Sequence, residues 1–109
     1  MATPKAVVPR RRAIVDVEEA VDFYLAEAGE QPALDFIDDL EAAYAHIARH
    51  PATGSPRYAH ELDVAGLRCW RLRRFPHLVF YFEASGHIDV WRVLHGSRQM
   101  ADWLHTLDG

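Results

Sequence analysis

A chain of 109 residues, half of them hydrophobic at 50%, fits one domain with a single core and needs no second one. Its formal net charge of −4 argues against a general nucleic-acid coat, because phosphate binding wants a basic surface. No apolar run approaches the roughly 20 residues of a membrane span, and the basic N-terminal residues lead into no signal-like apolar block, so a cytoplasmic protein is expected.

In chain order, Ala6-Val7-Val8 before Pro9 reads as a short edge strand, since proline removes a donor at an edge without breaking a ladder. From about Arg10 the period changes. Ala13, Val17, Ala20, Val21, Tyr24, Leu25 and Ala28 recur at three- and four-residue spacing and predict a helix that stops at Gly29. Arg10, Arg11 and Arg12 stand at its positive end, where they serve a partner or solubility. A second helix opens near Pro32, with Phe36, Ile37, Leu40, Ala43, Tyr44 and Ile47 on one face, and ends at His50-Pro51. So short a connection makes the two an antiparallel hairpin. Between Ala13 and Ala48 there is no Lys or Arg, while Asp16, Glu18, Glu19, Asp22 and six further acidic residues up to Glu41 fall there. Those carboxylates are expected on the outer, solvated faces.

Residues 52–66 have no sustained period and read as a long loop with one irregular turn. The stretch Leu67 to Arg98 then organises the chain as an antiparallel meander. Leu67 to Phe75 interleaves apolar and basic residues, as a strand with one wet face does. Alternation places Arg71 and Arg73 on one face and Arg68 and Arg74 on the other. Leu78-Val79-Phe80-Tyr81-Phe82 is an uninterrupted run of β-formers suited to a central strand covered on both sides. Ile88 to Leu94 gives the third strand, and Ser97 caps a short closing helix with Met100, Trp103, Leu104 and Leu107 as its apolar stripe. The expected fold is α+β: an N-terminal helix hairpin packed on a small antiparallel sheet, made of a short first strand plus a three-stranded meander, with a short C-terminal helix, all in one domain over residues 1–109.

Few residues suggest chemistry. The one cysteine, Cys69, falls in a strand and reads as core filler rather than a reactive thiol. His46 and His50 have metal-ligand spacing, but no third ligand is placed beside them, and two imidazoles near a helix C-terminus explain them as well. His95-Gly96-Ser97 has no nucleophile elbow. No glycine-rich phosphate loop and no zinc pattern occurs, so no catalytic residue, metal or cofactor is expected. The constellation above background is the basic set Arg68, Arg71, Arg73, Arg74, Arg92 and Arg98 beside Trp70, Trp91 and Trp103. Guanidinium groups next to indoles can hold phosphates or grip an acidic peptide.

The order of elements resembles the RelE/ParE superfamily of bacterial type II toxins, and two motifs carry the likeness. Phe75-Pro76-His77-Leu78-Val79-Phe80-Tyr81 looks like that family's F-P-Y-L-I-F-Y turn and strand. Arg92-Val93-Leu94-His95-Gly96-Ser97-Arg98 looks like the R-V-L-H-G-x-R-D ending of the ParE branch. His77 stands where the family has tyrosine, and Gln99 where an acidic residue commonly follows the arginine. The resemblance implies a small toxin neutralised in a hetero-oligomer by a cognate, ParD-like antitoxin. For the ParE branch it implies poisoning of DNA gyrase, without a chemical step by the toxin and without sequence-specific nucleic-acid binding. A RelE-like ribosome-dependent mRNA endonuclease and a relic that binds only its antitoxin are the alternatives. Acidic antitoxin residues are expected to meet Arg71, Arg73 and Arg98, with Trp70 or Trp103 as apolar anchors and the His95-Gly96-Ser97-Arg98 end as part of the partner surface.

Overall fold

The computed structural model describes residues 3–97, 99, 100 and 103. A four-stranded sheet in the order β1-β4-β3-β2 is its platform, built from β1 (Ala6–Pro9), β2 (Arg68–Arg71), β3 (His77–Glu83) and β4 (His87–His95). The meander β2-β3-β4 is antiparallel as expected. The sheet as a whole is mixed, because β1 lies parallel to β4, with Ala6 opposite His87 and Pro9 opposite Val90. A chain that leaves β1 into a helix hairpin can return to the sheet in either sense. Here Pro9 sits at an outer edge, where its missing N–H breaks nothing.

Helices α1 (Arg11–Glu27) and α2 (Glu30–Arg49) form the hairpin. Gly29 joins them at φ 100°, a conformation that any Cβ would strain. Their inner faces meet one face of the sheet through Ala13, Phe36, Leu40, Ile47, Val79 and Tyr81. The other face of the sheet carries Leu67, Cys69, Phe80 and Leu94, closed by Met100 and Trp103. Leu78 to Phe82 therefore runs through the middle with core on both sides, as its composition indicates, and a bulge falls at Phe80/Tyr81. Gln99, Met100 and Trp103 are helical; Leu104 and Leu107 of the expected closing helix lie outside the described residues.

Two differences from expectation have clear causes. Residues expected to be loop contain α3 (Arg57–Leu62), a short helix whose Tyr58, Ala59 and Leu62 pack on the second core. The expected strand from Leu67 to Phe75 is regular only over Arg68–Arg71. Beyond it the backbone N–H groups of Arg74 and Phe75 donate to the Asp39 carboxylate, at 2.8 and 3.2 Å. A side chain of α2 takes the place of a ladder partner, and the chain turns toward the hairpin.

Candidate partner-binding surface

The arginines that looked like one set divide into those used by the fold and those left on the surface. Arg92 belongs to the first. Its Nε and Nη2 donate to the two carboxylate oxygens of Asp16 at 2.8 and 2.9 Å, and the Val93 N–H donates to the same carboxylate at 3.0 Å. The Asp16 side chain is 1% exposed and that of Arg92 14%, so this pair pins α1 to β4 inside the protein. Arg68 is also committed, its Nη1 donating to the carbonyls of Ala52 and Gly54 at 3.1 and 2.8 Å. Asp16 and Asp39 thus face inward and correct the expectation that the hairpin carboxylates are all solvated. Each sits three residues after a core position, Ala13 or Phe36, within the buried stripe.

Arg71 and Arg73 are exposed, with no ion-pair partner among the described residues. They do not share a face, contrary to strict alternation, because the strand ends between them. Arg71 lines a groove of about 480 Å³ with Ser55, Arg57, Tyr58, Gly96 and Ser97. Arg73 lines a separate cleft of about 320 Å³ with Ala42, His46 and Trp70 beside Asp39. In that cleft the rings of Trp70 and His46 stack, 4.4 Å between centroids at 19°, and His46 Nε2 meets Thr53 Oγ1 at 3.2 Å. His46 and His50 lie 5.1 Å apart, and no group of three metal-ligating side chains occurs among the described residues.

His95 ends β4 beside the turn. Its Nδ1 accepts the Ser97 N–H at 3.2 Å with Ser97 Oγ at the same distance, while its backbone N–H donates to Gln99 Oε1 at 2.7 Å. Gln99 therefore closes the turn through a neutral amide. The imidazole sits 5.3 Å from that of His77, and both line a cleft against α1. Trp103 is 8% exposed and packs on Phe80 and Trp91 at 4.8 and 5.1 Å. Its indole covers the sheet, which removes it as a free anchor. Arg98 lies outside the described residues.

Arg57 is a cation beside Arg71 that the sequence did not single out. The Arg57-to-Glu61 spacing, which closes a helical ion pair at 3.1 Å, was its one local signal.

Hydroxyl and thiol groups near these clefts are held rather than poised. Tyr81 donates to the Pro51 carbonyl at 2.7 Å and accepts the Gly54 N–H at 2.9 Å. A Cβ at Gly54 would lie 2.5 Å from that hydroxyl, so glycine permits the contact. Burial pushes the Cys69 thiol up to about 12, against a smaller opposing pull from Arg57, which leaves almost no thiolate at neutral pH.

No helix among the described residues is long and apolar enough to cross a membrane. Comparison with known proteins gives one answer at three levels. Residues 7–100 match the family model for the ParE toxin of the type II toxin-antitoxin system parDE. Toxin ParE1 of Caulobacter vibrioides is 33% identical over 87 residues, which span 80% of this chain and 84% of that protein. A solved chain described as the chromosomal ParDE toxin-antitoxin system from P. aeruginosa superposes with a TM-score of 0.71 at 20% identity, covering 84% of this chain and 95% of that one. That superposition speaks for the fold, and the two sequence matches for the family. The helix hairpin, the four-stranded sheet and the Arg92-to-Ser97 ending thus belong to a member of the ParE family of type II toxins.

Proposed function

We propose that this protein arrests growth by binding DNA gyrase and is neutralised by a cognate ParD-like antitoxin whose acidic residues occupy the groove at Arg71. The observation that carries the antitoxin contact is the contrast among the arginines. Arg92 and Arg68 are engaged inside the fold, whereas Arg71 and Arg73 stand exposed on opposite sides of the end of β2. A guanidinium with no internal acid offers bidentate bonds to a carboxylate from outside. Trp70, half-buried against His46, supplies apolar area beside Arg73, and the turn at His95 to Ser97 borders the Arg71 groove. Arg98, next in the chain, is proposed to join them.

Gyrase as the target is supported by family membership. Action by binding rather than by a chemical step is supported by the state of two nucleophiles. The Cys69 thiol is held protonated, and the Tyr81 hydroxyl is fixed between two backbone groups.

Two experiments test the reading. Inducing the protein without antitoxin is expected to raise double-strand break markers and alter plasmid topology while mRNA stays intact; cleaved ribosome-bound mRNA would instead establish an endonuclease, and normal growth a relic. For the antitoxin contact, the variant Arg71→Glu/Arg73→Glu is expected to bind antitoxin at least about tenfold more weakly, with a shallower salt dependence. Unchanged affinity in that variant rules the groove out.

A further inference from the structure

The outer side of α1 carries a pattern that the antitoxin contact does not use. Glu19, Phe23 and Glu27 are four residues apart and all exposed, so they form one stripe along the helix. Phe23, at 41% exposure, is a large aromatic side chain set between two carboxylates. Glu19, Asp22 and Glu27 have no ion-pair partner among the described residues, in contrast to Asp16, Asp35, Glu61, Glu83 and Asp89. Behind Phe23 the surface opens into a cleft of about 310 Å³, floored by Ala20 and Tyr24 and closed by His77, His95 and Gln99. That volume is at the small end for a ligand site and suits one large apolar side chain.

The Phe23 cleft and the Arg71 groove meet at the turn after β4 but open on opposite faces of the sheet, one against α1 and the other beside α3. Their charges are opposite. A strongly acidic segment that is drawn to Arg71 is repelled by Glu19 and Glu27, so the two sites select different partners.

We infer that the Phe23 cleft is a second protein-docking site, which takes a segment presenting one large apolar side chain flanked by lysine or arginine. Resting on the assignment of the basic groove to the antitoxin, this places the contact with the target on the acidic hairpin. The charge arrangement rules the partner's sign, and the cleft its anchor.

The test uses the full chain. Glu19→Lys/Glu27→Lys reverses the stripe at exposed helical sites, and Phe23→Gln removes the aromatic ring. Asp38→Lys/Glu41→Lys makes the same charge change on exposed α2 positions. Growth arrest on induction, gyrase supercoiling, antitoxin affinity and sedimentation are measured for each after circular dichroism confirms the fold. Both stripe variants are expected to lose growth arrest by about tenfold or more, with antitoxin affinity within about twofold of wild type and the control unaffected. Equal loss in the control, a parallel loss of antitoxin affinity, retained toxicity, or a wild-type self-association that the stripe variants abolish would each overturn the proposal. If the wild type arrests growth but leaves gyrase untouched, the gyrase reading fails alone and the docking site is judged on growth arrest. A wild type that does not arrest growth overturns both.

Discussion

The two faces of the sheet are closed by different physics. On the hairpin face, apolar packing through Phe36, Ile47, Val79 and Tyr81 is combined with polar pins: Asp16 to Arg92, and Asp39 to the N–H groups of Arg74 and Phe75. On the other face, Phe80, Trp91 and Trp103 pack ring against ring, and the nearby cations stay at the rim. The difference shows where specificity resides. Apolar burial is non-directional, so two helices could slide or rotate on a sheet with little change in buried area. A bidentate pair and a carboxylate shared by two N–H groups fix α1 and α2 in one register. The aromatic face has short α3 and the closing residues to hold, and its ring geometry suffices.

Breaking the deepest pin gives the largest expected effect. Asp16→Ala leaves the Arg92 guanidinium largely buried with no counter-charge, and removal of one partner of a buried ion pair typically costs about 3–5 kcal/mol. Urea denaturation at pH 7 measures it. The double variant Asp16→Leu/Arg92→Met is expected to recover most of that loss, because no uncompensated charge remains. A single-variant loss below about 1 kcal/mol, the range of exposed pairs, would show that water already screens Arg92 and that the pin is not what orients α1.

That pin also marks the limit of what the sequence shows. The hairpin is legible because hydrophobic period survives over several turns of each helix, and the two-sided strand Leu78 to Phe82 because its run of β-formers is unbroken. Asp16 and Asp39 fall within the same periods, three residues after Ala13 and Phe36, yet an aspartate in an apolar stripe has meaning only when its partner is known. Those partners, Arg92 and the backbone at Arg74, are distant in sequence. For the same reason the arginines looked alike: nothing local distinguishes Arg92, which meets an acid across the core, from Arg71, which does not. Strict alternation misplaces Arg73 because the regular strand ends at Arg71. Helix α3 was too short for its Tyr58 and Leu62 to register as a period.

A pair of tyrosines on the hairpin side, Tyr81 buried and Tyr44 partly buried, sharpens the distinction between pins and packing. Tyr81 makes two hydrogen bonds to the backbone at Pro51 and Gly54. The Tyr44 hydroxyl is buried with no hydrogen-bond partner among the described residues, and burial, with the negative charge of Asp16 adding to it, pushes its pKa up to about 12. Tyr81→Phe should therefore destabilise the protein by about 1–3 kcal/mol, since it strands the Gly54 N–H and the Pro51 carbonyl. Tyr44→Phe removes a polar atom that gains nothing from its site, and stability should hold or rise by up to about 1 kcal/mol. Paired denaturation curves decide between them. Equal losses in the two variants would mean that both rings act through shape alone.

The smallest effect lies at the outer edge, where β1 and the start of α1 meet β4. Arg10 donates to both oxygens of Asp89 at 2.9 and 2.7 Å and lies over the Phe82 ring at 5.7 Å. Those paired hydrogen bonds hold the Asp89 carboxyl below its ordinary value, against a weaker upward push from partial burial. A carboxyl whose folded pKa lies below its unfolded value of about 3.9 contributes stability that is fully present above that unfolded value. The contribution disappears as the pH falls through the folded one. Half of the Arg10 side chain is in water, 51% by exposure, so the pair is worth no more than about 0.2–1 kcal/mol. Asp89→Asn should lower stability by that amount at pH 7 and by progressively less as the pH falls from about 3.9 toward the lower folded value, below which the two curves converge. A gap that persists at low pH would mean that Asp89 acts through packing against Phe82 and β1 rather than through its charge, and the edge would then be closed as the aromatic face is, without a pin.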